Sequence, residues 1–368
     1  MRASRILAAT LVLALALGLG AVASAAPLKL TVGYQPFDTI SYSPVVIRAK
    51  ELWKKYLPEG TTVEWEAALQ GSVIVNAMVA DKQQIGYLGD MPAVVCTTKT
   101  DIAPIKLVAS LGLSAGQRCN VIMVRADAPQ FATPEEAIKW LDGKTVATPK
   151  GSCADRFLRT VMQKAGVAPK EVLNQSLEVI ATNFRVKKID AAVLWEPTVS
   201  RIGDMVGEGV ARIVATGYNF DSPDAGFVAM RADFFEANPD IALGWLKAEL
   251  EAQQFLMDPN NWEEVARMVS EQATGITPAM AWFSLFGAIP AGSGGAPERD
   301  TKPFIFTDGV HTLLDGTYEF LFASKVINVD KAPAGAIDDS LARKAAEEMG
   351  VTVPMGVIIP LDVSKAPK

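Results

Sequence analysis

The chain has 368 residues, 49% of them hydrophobic and 21% charged, with a net charge of −6, three cysteines and a single histidine. The acidic balance speaks against nucleic acid as a partner, one histidine cannot build a histidine-rich metal site, and three cysteines close at most one bridge. A conventional apolar core must therefore hold the fold, and the length favours two domains over one.

Positions 1–25 carry Arg2 and Arg5, an apolar stretch from Ile6 and the small tripeptide Ala23-Ser24-Ala25. This is the pattern of a secretory leader cut after Ala25, so the mature chain is expected in the periplasm. Loss of the two arginines takes the net charge from −6 to −8. No cysteine stands at the cut to accept a lipid, and no later segment is both long and apolar enough to cross a bilayer. In an oxidising compartment Cys96, Cys119 and Cys153 leave at least one thiol over, and spacing alone does not say which pair.

One unit then recurs. "LKLTVGY" (28–34) reads as a strand, "QPFDTISYS" as a loop, and "PVVIRAKELWKKYL" as a helix with Pro44 in its first turn. "TTVEWEAAL" (61–69) is an alternating strand, followed by the tight loop "QGS" and the helix "VIVNAMVAD". "QIGYLG" runs into "DMPAVVCTTKT", again with a proline just inside the helix. In the fourth unit "KTVATPK" is the strand, Gly151 the turn, Ser152 the N-cap and "CADRFLRTVMQKAG" a helix closed by Gly166. Strand, short loop and helix in repetition predict an α/β fold with mostly parallel sheets, and ligands of such folds bind at the carboxyl ends of the strands. Each loop ends on a helix N-terminus, whose first N–H groups lack intrahelical partners and face any anion with partial positive charge. Gly71, Ser72, Gly89, Gly151 and Ser152 let a ligand approach that backbone, and none of the loops has the Walker phosphate pattern.

Four motifs, in order and spacing, carry a family resemblance: "VGYQP" (32–36), "GYLGDMP" (86–92), "TPKGS" (148–152) and "IDAAVLWEP" (189–197). With the helical stretch 231–269 they resemble the exported solute receptors of ATP-binding-cassette importers of the nitrate, sulfonate and taurine type. The resemblance covers residues 28 to about 286 and implies a two-lobed periplasmic-binding-protein fold of type II, with solute held in the cleft between lobes that hinge shut. It places lobe one at 26–117 plus 222–368 and lobe two at 118–221, with crossings near "CNVIMVRAD" and "GYNFDSPDAGFVAMRAD". The implied partners are a small-molecule solute and an inner-membrane permease with its ATPase; the receptor is expected to be a monomer without cofactor or metal. The tail from 288 onward, with its Gly- and Pro-rich loop, departs from the pattern, as do Arg118 and Cys119.

The residues expected at the solute follow from the loops. Ser152 with the N–H groups of Cys153 and Ala154 forms an anion site in lobe two, and Gln70, Gly71 and Ser72 its counterpart in lobe one. Gln35, Gly89 and Met91 join from neighbouring loops, while Phe37, Tyr42 and Trp195 offer apolar walls that suit a carbon skeleton better than bare nitrate. Asp90 and Glu196 are read first as caps of helix starts; a carboxylate facing the solute implies an ammonium and hence a zwitterion such as taurine. Arg118 and Arg156 are candidate charge partners. The solute expected is a small organic anion or zwitterion; the alternatives are nitrate, an aromatic carboxylate or a thiamine-precursor pyrimidine. The rival class is a secreted hydrolase with Cys153 as nucleophile, but its only histidine, His311 in "TDGVHTLL", reads as a helix-start residue rather than a base.

Overall fold

The computed structural model describes residues 27–207 and 209–367; the expected leader and its cut lie outside them. Among the described residues twelve strands form two sheets. β1 (Lys29–Tyr34), β2 (Thr62–Ala67), β3 (Ile85–Gly89) and β4 (Ile105–Ser114) belong to the first sheet. The chain then crosses to the second sheet, made of β5 (Val121–Arg125), β6 (Thr145–Thr148), β7 (Glu171–Asn174), β8 (Ala191–Leu194) and β9 (Ala211–Thr216). It returns as β10 (Asp224–Arg231) and ends with β11 (Asp300–Lys302) and β12 (Gly356–Ile358) at one edge of the first sheet. The spatial orders are β12-β11-β4-β10-β3-β1-β2 and β7-β6-β8-β5-β9.

Both sheets are mixed, where the repeated units predict mostly parallel ones. Helical crossovers do give parallel pairs, β1 with β2 and β3, and β6 with β7 and β8. The strands flanking the crossings are different: the chain leaves along β4 and comes back along β10, which lies antiparallel between β4 and β3, and β5 is likewise antiparallel to β8 and β9. β11 and β12 add two more antiparallel pairings. Helices cover both faces of each sheet, and the apolar residues accordingly fall into separate clusters, such as that of Val32, Tyr87 and Trp245 against that of Ile74, Leu88 and Phe227 on the opposite face of the first sheet.

The local readings are met with one change near the start. The helix after β1 spans Tyr42–Lys50 and stops at Glu51, a left-handed residue (φ 50°); a tight turn, Leu52–Lys55, replaces the rest of the expected helix. The helices Gly71–Val79, Asp90–Thr97 and Cys153–Ala165 lie where their loops predict, the last closed by Gly166 at φ 65°.

Two crossing segments, 115–120 and 217–223, join the sheets. Their backbones touch: Gly217 N–H donates to Gly116 O at 2.6 Å, and a Cβ on Gly116 or Gly217 would fall 2.2 or 2.3 Å from Ser222 O. Arg118, with no exposed surface, donates to Asp224 at 3.2 Å and Asp300 at 3.0 Å, so one cation ties both crossings to β11. Burial alone would lower its pKa, but Asp300 and Asp224 outweigh that and raise it. The tail also straps the crossings: Arg299 donates to Gln117 O, Gln117 to Glu298 O, and Thr216 to Gly294 O. None of the residues lining the cleft described next comes from this tail.

Candidate functional site

A cleft of about 250 Å³ lies between the two sheets' loops. It brings together Gln35, Gln70, Gly71, Ser72 and Gly89 from the first-sheet lobe and Ser152, Cys153 and Trp195 from the second, eight of the expected site residues. The first turns of the helices Gly71–Val79 and Cys153–Ala165 therefore open into one space from opposite lobes. Gly71 is required there for a second reason: a Cβ would fall 2.5 Å from Pro92 Cγ, which packs the two first-lobe helices together.

Ser152 reaches the cleft differently from expectation. Its Oγ donates to Pro149 O at 2.7 Å and accepts from Asp155 N–H at 3.2 Å, so the hydroxyl shapes the loop. What remains for a solute is the backbone N–H of Cys153, which lines the cleft; Ala154 is buried and lies outside the lining. Asp155 finishes the same turn, its Oδ2 accepting from Gly151 N–H at 3.0 Å.

The remaining expected residues lie outside the lining. Tyr42 is fully buried, its hydroxyl 2.6 Å from Ser284 Oγ, and Met91 is a core residue. Phe37 borders the site through its backbone: its carbonyl accepts from Trp195 Nε1 at 3.2 Å. Glu196 is buried; its Oε2 accepts from Ser200 N–H at 3.1 Å and Ser200 Oγ at 2.9 Å, capping the helix Thr198–Val206, and burial raises its pKa. Asp90 heads the helix Asp90–Thr97, accepts from Met91 N–H, and bonds Arg156 of the other lobe at 2.6 Å. Arg156 also donates to Pro223 O at 3.0 Å. With Thr39 N–H donating to Glu196 O at 3.2 Å, these contacts hold the lobes together beside the cleft.

Sequence reasoning missed Asp38, Asn76, Val95, Lys99 and Lys150, all of which line the cleft. Helical spacing held a signal for some: Asn76 follows Ser72 by four residues and Val95 follows Pro92 by three, whereas Lys99 lies beyond the helix Asp90–Thr97. Asp38 sits in the loop after β1, 6% exposed, with Oδ1 accepting from Ile40 N–H at 3.1 Å. Burial pushes its pKa up to about 7, against the lowering pull of the Ile40 N–H and of Arg118.

A disulfide joins Cys119 on the first crossing to Cys153 at the helix start, Cα–Cα 6.2 Å, and Cys96 is a buried free thiol. Cys153 in a disulfide is not a nucleophile, and His311 is exposed on the helix Asp308–Ala323, away from the cleft lining. Among the described residues no group of three or more His, Cys, Asp or Glu is arranged to hold a metal, and no helix is long and apolar enough to cross a membrane.

Residues 23–270 match the model of the NMT1-like family. The chain is 27% identical over 249 residues to the taurine-binding periplasmic protein of Escherichia coli K12, covering 67% of this chain and 72% of that one. In fold it is similar to the alkanesulfonate-binding protein SsuA from Xanthomonas axonopodis pv. citri bound to MOPS (TM-score 0.66, 20% identity, 85% of this chain and 99% of that one). It is similar also to the periplasmic nitrate-binding protein NrtA from Synechocystis PCC 6803 (TM-score 0.65, 18% identity, 92% of each chain). With two helix-flanked mixed sheets, a cleft between them and the family match over most of its length, the chain belongs to the NMT1-like family and has the bilobed type II fold of periplasmic solute-binding proteins.

Proposed function

We propose that the chain captures a small organic anion or zwitterion of the sulfonate class in this cleft and delivers it to an inner-membrane permease with its ATPase. The observation that carries the reading is the cleft into which two helix N-termini open from opposite lobes. A sulfonate spreads its charge over three oxygens, so it can accept from Ser72 N–H on one side and from Cys153 N–H on the other, each lobe supplying part of the binding energy. Trp195, Val75, Pro92 and Val95 line the same space and suit a carbon chain, which bare nitrate lacks. Two of the relatives' names, taurine-binding and alkanesulfonate-binding, point the same way, while the third is nitrate-binding. A solute seated there contacts both lobes and favours the closed arrangement that Asp90 and Arg156 already bridge.

The test is thermal unfolding of the mature protein against a panel of taurine, short alkanesulfonates, nitrate, an aromatic carboxylate and a pyrimidine. A ligand at a hundred times its Kd stabilises by about 2.7 kcal/mol, a shift of several degrees in a chain this long. The expected result is a shift with a sulfonate and none with nitrate or the pyrimidine. A shift with nitrate or the pyrimidine alone, or turnover of any compound, overturns the reading.

A further inference from the structure

We infer that Asp38 is the residue by which the cleft selects solutes that carry an ammonium group in addition to their anionic end. The inference rests on the proposed function and narrows it from sulfonates at large to amino sulfonates.

Asp38 lines the cleft and is 94% buried, being 6% exposed. Among the described residues its side chain makes one hydrogen bond, from Ile40 N–H to Oδ1 at 3.1 Å, which leaves Oδ2 for whatever occupies the cleft. The charged groups that act on it are Arg118, Asp224 and Asp90, while Lys99 and Lys150 line the same cleft and, among the described residues, neither forms an ion pair with Asp38. Each of these is already committed. Arg118 is shared by Asp224 at 3.2 Å and Asp300 at 3.0 Å, and Asp90 is held by Arg156 at 2.6 Å. The groups that act on Asp38 are thus two like charges and a cation that two other carboxylates use, and neither cleft lysine bonds its open oxygen.

A carboxylate withdrawn from water needs a counter-charge or keeps its proton, and burial does push Asp38 up to about 7. An ammonium on the solute supplies the missing cation from within the cleft, at the one oxygen the protein leaves open. A solute with a methyl in the same place leaves Asp38 unpaired, or obliges it to stay protonated. The remaining requirement, an anion acceptor in the same space, is met by the first turns of the helices Gly71–Val79 and Cys153–Ala165. An acidic wall and two positive helix ends in one cleft match a zwitterion better than a simple anion.

The probe pair is taurine and 1-propanesulfonate, which differ by ammonium against methyl at the end of the same chain. Calorimetric titration of the wild-type protein at pH 8 is expected to give taurine at least tenfold tighter binding, the scale of one charge-assisted hydrogen bond. D38N keeps an oxygen to accept from Ile40 N–H and removes the charge, and it is expected to bring the ratio of the two affinities to within about threefold of one. Equal affinities in the wild type overturn the inference without any variant, and so does a D38N protein that keeps the tenfold preference; both results leave the sulfonate reading standing. Binding of neither compound overturns the inference and the proposed function together.

Discussion

Replacing Arg118 with methionine removes the cation where the two crossing segments meet. Arg118 has no exposed surface, and it bonds Asp224 on the returning strand β10 and Asp300 on β11. Breaking a buried ion pair by deleting one partner costs about 3–5 kcal/mol, because the other charge stays buried. Asp300 keeps a second cation, Lys302 Nζ at 2.7 Å, whereas among the described residues Asp224 keeps only the N–H of Cys119 at 3.1 Å. The loss therefore falls mainly on Asp224, and the lower end, about 3 kcal/mol, is expected. With an unfolding entropy of about 2.1 cal/mol/K per residue over roughly 340 residues, that is a fall of about 4 °C in Tm. The pH dependence has a definite sign. Burial already raises the pKa of Asp224, and without Arg118 it rises further, so the variant's native state holds a proton that its unfolded state releases near pH 4. Stability of the variant then falls as pH rises above about 4, and its deficit against wild type is larger at pH 8 than at pH 5. Calorimetric melting of R118M, D224N and the double variant at both pH values is the assay, and the double variant is expected to be more stable than R118M alone. Additive losses in the cycle, or a deficit that grows as pH falls, would refute the reasoning.

Replacing both Cys119 and Cys153 with serine opens a bridge between residues 34 apart and is expected to cost about 4 kcal/mol by loop entropy, read by denaturant melting; solute affinity stays within about threefold because the Cys153 N–H survives. Ser152→Ala removes an N-cap and should cost about 1 kcal/mol of stability, again with affinity within about threefold, since its hydroxyl is spent on Pro149 and Asp155; a hundredfold loss of affinity would place the hydroxyl on the solute instead. Asp38, raised to about 7 in the fold, holds a proton between about pH 4 and pH 7 that the unfolded chain releases, so it makes stability fall with rising pH across that window. In D38N that part of the slope, at most about 1.4 kcal/mol per pH unit, should vanish from the melting profile. Arg156→Ala cuts the bridge to Asp90 and should enlarge the radius of gyration in solution scattering without solute; an unchanged radius would mean that this pair does not hold the lobes.

The parts of the site that could be read from the chain are those set by local chemistry. Gly71, Ser72, Gly151 and Ser152 announce helix starts through short-range rules, and a sheet's strand ends bring such starts together. What escaped depends on partners far away in sequence. Tyr42 stands in a polar context that suggests a cleft wall, yet its hydroxyl meets Ser284, which no local pattern foretells. The pairing of Cys119 with Cys153 is decided by where the first crossing passes the helix start, and the role of Arg118 by the arrival of Asp224 and Asp300 from distant strands. Asp38 differs from other loop aspartates only in being buried at a cleft, a property of the folded loop. The mixed sheets have the same origin: alternating strands and helices predict parallel pairs, whereas the antiparallel ones arise because the chain must leave and re-enter the first lobe.

If a sulfonate is held between the lobes by the two helix N-termini, a crystal structure of the mature protein with taurine will show it. The sulfonate oxygens are expected within about 3 Å of the backbone N–H of Ser72 and of Cys153, with Trp195 beside the carbon chain. A solute bound outside this cleft, or inside it with its sulfonate turned away from both helix starts, would rule out capture by the helix N-termini.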